Sequence, residues 1–140
     1  MKIGEYEADE KLSYYEGDGI HEWVKREGSK AKVGIDDLTS KLAKEISFIS
    51  MQAKEGDGVK RGEAMGTIET AKIVLRLDAP VSGKITSFNQ KVLEDPSLLN
   101  DAPFKNWIFE IELSDEKELE ELVSGEKVKE WMEREIEKYA

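Results

Sequence analysis

The residues best placed to do chemistry are Glu69-Thr70-Ala71-Lys72-Ile73, a lysine between two apolar, strand-forming segments. Ala64-Met65-Gly66-Thr67-Ile68 leads up to it, and Val74-Leu75-Arg76-Leu77-Asp78-Ala79 leads away. Read as strand, tight turn and strand, the pattern lifts Lys72 to the tip of a hairpin. A rigid ladder fixes the position while the four-carbon stem still moves. The chemistry this allows is display of an amine to another protein's active site; the plainer alternative is a solvated turn lysine. Little else in the chain could react. The single histidine, His21, excludes a multi-histidine metal centre, and the absence of cysteine removes disulfides and thiolate metal ligands. With no obvious nucleophile–base pair, the chain reads as a component without catalytic residues rather than an enzyme, and no metal is expected.

The elements that must position Lys72 can be read from apolar periodicity and turn residues. His21-Glu22-Trp23-Val24-Lys25 alternates as a strand, Glu27-Gly28-Ser29 turns, and Ala31-Lys32-Val33-Gly34-Ile35 returns. Asp36 or Asp37 can cap a short helix with Leu38, Leu42 and Ala43 on one face. Ile46 to Met51 is strand-like, and Gly56-Asp57-Gly58 favours a turn. The Lys72 hairpin ends at Pro80, Lys84 to Phe88 forms another strand, and residues 93 to 103, with two prolines, read as a loop. Trp107 to Leu113 alternates as the last strand. Ser114 or Asp115 then caps a helix carrying Leu119, Leu122 and Val123 that Gly125 ends. A final helix places Val128, Trp131, Met132, Ile136 and Tyr139 on one stripe, expected as core packing. Strands dominate the first 113 residues, so a mainly β sandwich or flattened barrel with a helical tail is expected. The 140 residues suit one domain, 1–140, with a core of about 12–113 and a tail of about 114–140.

A net charge of -10 argues against nucleic acid and anionic membrane as partners, because phosphate binding needs a basic surface. No apolar run approaches the ~20 residues of a membrane span, and the N-terminus lacks a signal-peptide core, so a cytoplasmic protein is expected. Read from its own neighbours, His21 is a partly buried histidine hydrogen-bonded within the first hairpin. Trp23 is expected in the core and Glu22 at the surface.

The segment from Glu55 to Lys72, with its acidic Gly-rich turn before a strand and a lysine, resembles the shared pattern of biotinyl and lipoyl domains. Glu63-Ala64-Met65 mimics part of a biotin attachment motif, but Gly66 stands where the lysine would have to be. The turn Glu-Thr-Ala-Lys-Ile is closer to lipoyl-type turns. His21-Glu22-Trp23-Val24, Val33-Gly34-Ile35, Ala79-Pro80-Val81-Ser82-Gly83, Asn100-Asp101-Ala102-Pro103 with Trp107, and Ile111-Glu112-Leu113-Ser114 are similar to the glycine cleavage system H protein family. The resemblance covers roughly residues 12 to 132. It departs at Ile73, Leu75 and Arg76 after the lysine, at Lys44-Glu45 where the family has Gly-Asp, and at Phe104-Lys105-Asn106 before Trp107.

The resemblance implies a lipoyl/biotinyl-type flattened β-barrel sandwich, or hammerhead, with C-terminal helices. It also implies lipoic acid attached covalently to Lys72, with Glu69, Thr70, Ala71 and Ile73 as the turn context and His21 as a candidate lining of the arm groove. The family function is a carrier of the aminomethyl group on a swinging lipoyl-lysine arm, working by tethered proximity. The partners so implied are glycine decarboxylase, aminomethyltransferase, dihydrolipoyl dehydrogenase and a lipoate ligase or lipoyl transferase, with the carrier itself a monomer. Alternatives are an H-like carrier for another complex, such as heterodisulfide-reductase-like sulfur oxidation, or an unlipoylated scaffold protein.

Overall fold

The computed structural model describes residues 1–139. Two sheets face one another. The larger is built from β3 (Ser13–Glu16), β4 (His21–Glu27), β5 (Lys30–Ile35), β7 (Gly58–Val59), β10 (Gly83–Phe88) and β11 (Phe109–Leu113), in the spatial order β3-β4-β5-β11-β10-β7. The smaller holds β6 (Ile46–Met51), β8 (Ala64–Thr70) and β9 (Val74–Asp78), with β8 in the middle. A separate N-terminal ribbon pairs β1 (Lys2–Ile3) with β2 (Tyr6–Glu7). The helices are α1 (Asp37–Ala43), α2 (Gln90–Glu94), α3 (Leu98–Asp101) and α4 (Lys127–Lys138). Among the described residues no helix is long and apolar enough to cross a membrane.

Alternating apolar residues from both sheets meet in the principal core, which includes Val33, Ile35, Ile68, Leu77, Ile85 and Ile111, all essentially inaccessible. Burial of such residues is the dominant favourable contribution to folding. A second core collects Tyr14, Trp23 and Leu38 with Val128, Trp131 and Met132 of α4, so the final helix packs through the apolar stripe expected of it. Gly34 is needed here because an added Cβ would lie 2.5 Å from the Trp23 ring.

The structure departs from the sequence reading in three elements. Residues 93 to 103 are not a plain loop but carry the end of α2 and all of α3. The helix expected after Ser114 is a 3-10 segment, Glu116–Glu121, capped by Asp115 accepting from the Lys117 N–H at 3.1 Å. Its acidic run leaves no residue buried, and Leu122 and Val123 lie beyond it, with Val123 bridged to Tyr14. The last strand begins at Phe109, because Trp107 turns aside and its carbonyl accepts from Asn89 Nδ2 at 2.9 Å.

Candidate functional site

The hairpin of β8 and β9 carries Lys72 at its tip, as the residue pattern predicts. Thr70 and Ile73 close the turn, with Thr70 N–H donating to the Ile73 carbonyl at 2.9 Å. Most two-residue hairpin turns need glycine or asparagine at positive φ. Ala71 and Lys72 are not among the residues with positive φ. The Thr70 hydroxyl supplies the stability instead, accepting from the Lys72 N–H at 3.2 Å and the Ile73 N–H at 3.1 Å. Among the described residues no carboxylate lies within ion-pair reach of the Lys72 ammonium, Glu69 included. Ala71, Lys72 and Ile73 are exposed, and Glu69 and Thr70 are half-buried in the strand below.

Beside the lysine lies a groove of about 310 Å³, mostly apolar, between the hairpin tip and the end of α1. Leu42, Ala43, Lys44 and Glu45 form one wall, and Thr70, Ala71 and Ile73 form the other. Leu42 was expected on the buried face of α1 with Leu38 and Ala43. It is instead 37% exposed and belongs to this wall. Helix α1 is capped at its start by Asp36, whose Oδ1 accepts the Thr39 N–H at 2.9 Å, and at its end by Lys44 with φ 62 and ψ -139. A side chain rarely adopts that conformation. Asn100 of α3 holds the corner: its Nδ2 donates to the Lys44 carbonyl, and its Oδ1 accepts the Ile46 N–H at 3.0 Å.

Gly66, at the position a biotin-type lysine would take, is pressed against β6. A Cβ there would lie 2.3 Å from the Ser50 carbonyl oxygen, so no larger residue fits. Only the tip lysine is presented.

His21 does not line the groove beside Lys72. It is 2% exposed and lies under α4, with Nδ1 2.8 Å from Asp36 Oδ2 and Nε2 2.8 Å from Glu135 Oε1. The Trp131 ring stacks at 4.5 Å. The alternative of a bonded, buried histidine therefore describes it better, but its partners come from α1 and α4 rather than from the first hairpin. Burial disfavours the imidazolium, yet hydrogen bonds and charges from Asp36 and Glu135 together raise its pKa above the usual histidine value.

Glu22 is a second correction. Expected at the surface, it is fully buried, and neither carboxylate oxygen has a hydrogen-bond partner. Burial, and then the charge of Asp78, push its pKa well above the ordinary glutamate value. Asp78 is itself buried and accepts from Arg76 Nε at 2.6 Å and from the Tyr15 hydroxyl at 3.0 Å. Burial and the Asp78 bond push the Tyr15 phenol up to about 12.

The glycine cleavage H-protein model matches residues 13–135. The chain belongs to that family. A glycine cleavage system H protein from Carboxydothermus hydrogenoformans is 39% identical over 116 residues, covering 82% of this chain and 88% of the relative. One from Halalkalibacterium halodurans is 38% identical over 116 residues, 82% of this chain and 90% of that protein. The crystal structure of a glycine cleavage system H protein from Mycobacterium marinum superposes with a TM-score of 0.67 at 24% identity, covering 76% of this chain and 87% of that one. That likeness shows the shared lipoyl-domain-like fold. The H-protein match spans both sheets and most of α4, so the hairpin, the groove and the buried His21 and Glu22 all lie inside it.

Sequence reasoning missed an apolar collar around the lysine. Phe48 is 67% exposed and Val74 61%, and cross-strand register places them on either side of Glu69. A bulge between Ile46 and Phe48 breaks the alternation of β6 and turns Phe48 outward. Only the run of apolar residues on both sides of the turn could have hinted at it.

Proposed function

We propose that this protein is the lipoyl carrier of a glycine cleavage system, with Lys72 as the attachment residue. The observation that carries the reading is the lysine itself: exposed, without an ion pair among the described residues, and fixed at a rigid hairpin tip in a chain of the H-protein family. The surroundings fit a lipoyl group, since the adjoining groove is mostly apolar and has Leu42 on one wall and Ile73 on the other. When bound, lipoate supplies a disulfide that can be opened to a dithiol at the end of a flexible arm.

The chain's own part is mechanical. Thr70 holds the turn through two accepted N–H bonds, so the amide plane at Lys72 keeps one orientation while the side chain moves. The β8–β9 ladder anchors that turn to the principal core through Ile68 and Leu77. Tethering confines the arm near any docked enzyme and replaces diffusion by a high effective concentration. Catalysis then belongs to the partners: glycine decarboxylase, aminomethyltransferase and dihydrolipoyl dehydrogenase, with a lipoate ligase or lipoyl transferase loading the arm.

Intact mass after incubation with a lipoate ligase, lipoate and ATP tests the attachment: a single lipoyl addition is expected, absent in Lys72→Arg. The lipoylated protein should then support glycine-dependent carbon exchange with glycine decarboxylase, and a protein that is modified at Lys72 but inactive in that assay would overturn the assignment to glycine cleavage.

A further inference from the structure

Five large apolar side chains are conspicuously exposed: Met1, Leu42, Phe48, Ile73 and Val74. All but the first gather around Lys72. Leu42 and Ile73 face one another across the groove. Phe48, Glu69 and Val74 form one cross-strand row on the outer face of β6, β8 and β9, directly below the tip. Neighbouring strands lie ~4.8 Å apart, so Phe48 and Val74 flank Glu69 at roughly 10 Å from each other. In a chain of net charge -10, such a concentration of uncovered apolar surface marks a contact that is made with something else.

Resting on the carrier reading, we infer that this collar docks the enzyme that acylates Lys72. The choice among partners follows from reach. An unmodified lysine extends its amine only ~6 Å from the backbone, by summing bonds of about 1.5 Å. An enzyme that brings an activated acyl group to that amine must therefore lie against the residues around the tip. Enzymes that work at the far end of a loaded arm are held off by the arm's length and need not touch them. In the step itself, the nitrogen lone pair of Lys72 attacks the carbonyl carbon of an acyl adenylate. The N–C bond forms, the bond from that carbon to the adenylate oxygen breaks, AMP departs with the electron pair, and the nitrogen releases a proton to solvent. The partner's rim is apolar opposite Phe48 and Val74. It carries a cation opposite Glu69 and Glu45, the carboxylates set within the collar and along the groove.

Acylation kinetics of the unmodified chain with a lipoate ligase, lipoate and ATP test this. Phe48→Ser and Val74→Thr should each raise KM about tenfold with kcat kept, the loss expected on removing an apolar anchor at an interface. Arg134→Ser, on the exposed face of α4, should leave both constants unchanged. Both collar variants replace exposed side chains, and unchanged melting temperatures would show that their folds are intact. Reduction of pre-lipoylated Phe48→Ser by dihydrolipoyl dehydrogenase with NADH as the electron donor should proceed at the wild-type rate. An unchanged KM in both collar variants overturns the docking proposal while leaving the carrier reading intact. So does an equal loss in the dehydrogenase assay, which would assign the collar to enzymes that read the arm. A wild-type dimer that Phe48→Ser dissolves would assign it to a second copy of the chain. A wild-type chain that no ligase modifies at Lys72 sinks the carrier reading, and the inference with it.

Discussion

Single residues show where local chemistry was overruled by packing. Glu22 alternates with His21 and Trp23 in a strand whose pattern puts acids outside, yet it is fully buried beside Tyr15 of β3, whose hydroxyl donates to Asp78 of the facing sheet. Its folded-state pKa is raised, so below the ordinary carboxyl range both folded and unfolded chains hold the proton. As pH rises, the unfolded chain releases it first, and stability falls until the folded pKa is passed. Glu22→Gln carries no such proton. Urea unfolding, followed as pH rises through and above the ordinary glutamate range, should show the variant gaining steadily on wild type; parallel profiles would mean that Glu22 ionises freely in the fold. Lys44 is the other informative residue. It holds φ 62 and ψ -139, at a position where the family resemblance implies glycine. Lys44→Gly should relieve that backbone and stabilise the protein by about 1 kcal/mol, read from the urea midpoint. A loss of stability would mean that the lysine side chain contributes more than its backbone costs.

At the scale of elements, the hairpin was fully legible because period-two alternation and a short turn depend only on neighbours in the chain. The same holds for β4, β5 and the apolar stripe of α4. What could not be read were features set from elsewhere in space. The prolines at 96 and 103 suggested a loop, but the segment between them is wound into α3 because Asn100 and Leu99 are needed against α1 and β6. Leu99 is fully buried, and its carbonyl accepts from Ser40 Oγ at 2.9 Å. Likewise Phe48 faces out only because a bulge shifts the register of β6 against β8. Asn100 joins these elements through its two side-chain ends. Asn100→Ala strands the part-buried Ile46 N–H beside the lysine groove, which should cost about 1–3 kcal/mol. It should also lower the lipoylation rate, since the wall bearing Leu42 loses its fixed position. Equilibrium unfolding together with ligase kinetics checks both, and a variant destabilised without any kinetic change would separate the corner from the site.

Across the whole molecule the two cores divide the work. The principal core lies between the sheets and holds the Lys72 hairpin through Ile68 and Leu77. The second is closed by α4, whose Trp131 packs on Tyr14 at 5.4 Å and on His21 at 4.5 Å and donates its Nε1–H to Glu16 Oε1 at 2.7 Å. The buried charge cluster of His21, Asp36 and Glu135 belongs to that second core and fastens α4 to α1 and β4. The family resemblance implied His21 as a candidate lining of the arm groove, but motif order carries no information about which side of the sheet a residue faces. Trp131→Ala should therefore test the division directly. Emptying the aromatic site costs about 3–5 kcal/mol, enough to loosen α4 while the sheets remain paired. Hydrogen exchange should show protection lost in residues 1–16 and 127–139 and retained in 64–78, with Lys72 still lipoylated at the wild-type rate in the folded protein. Uniform loss of protection across both sheets would mean that the two cores unfold as one, and that the hairpin owes its rigidity to α4 as much as to the ladder beneath it.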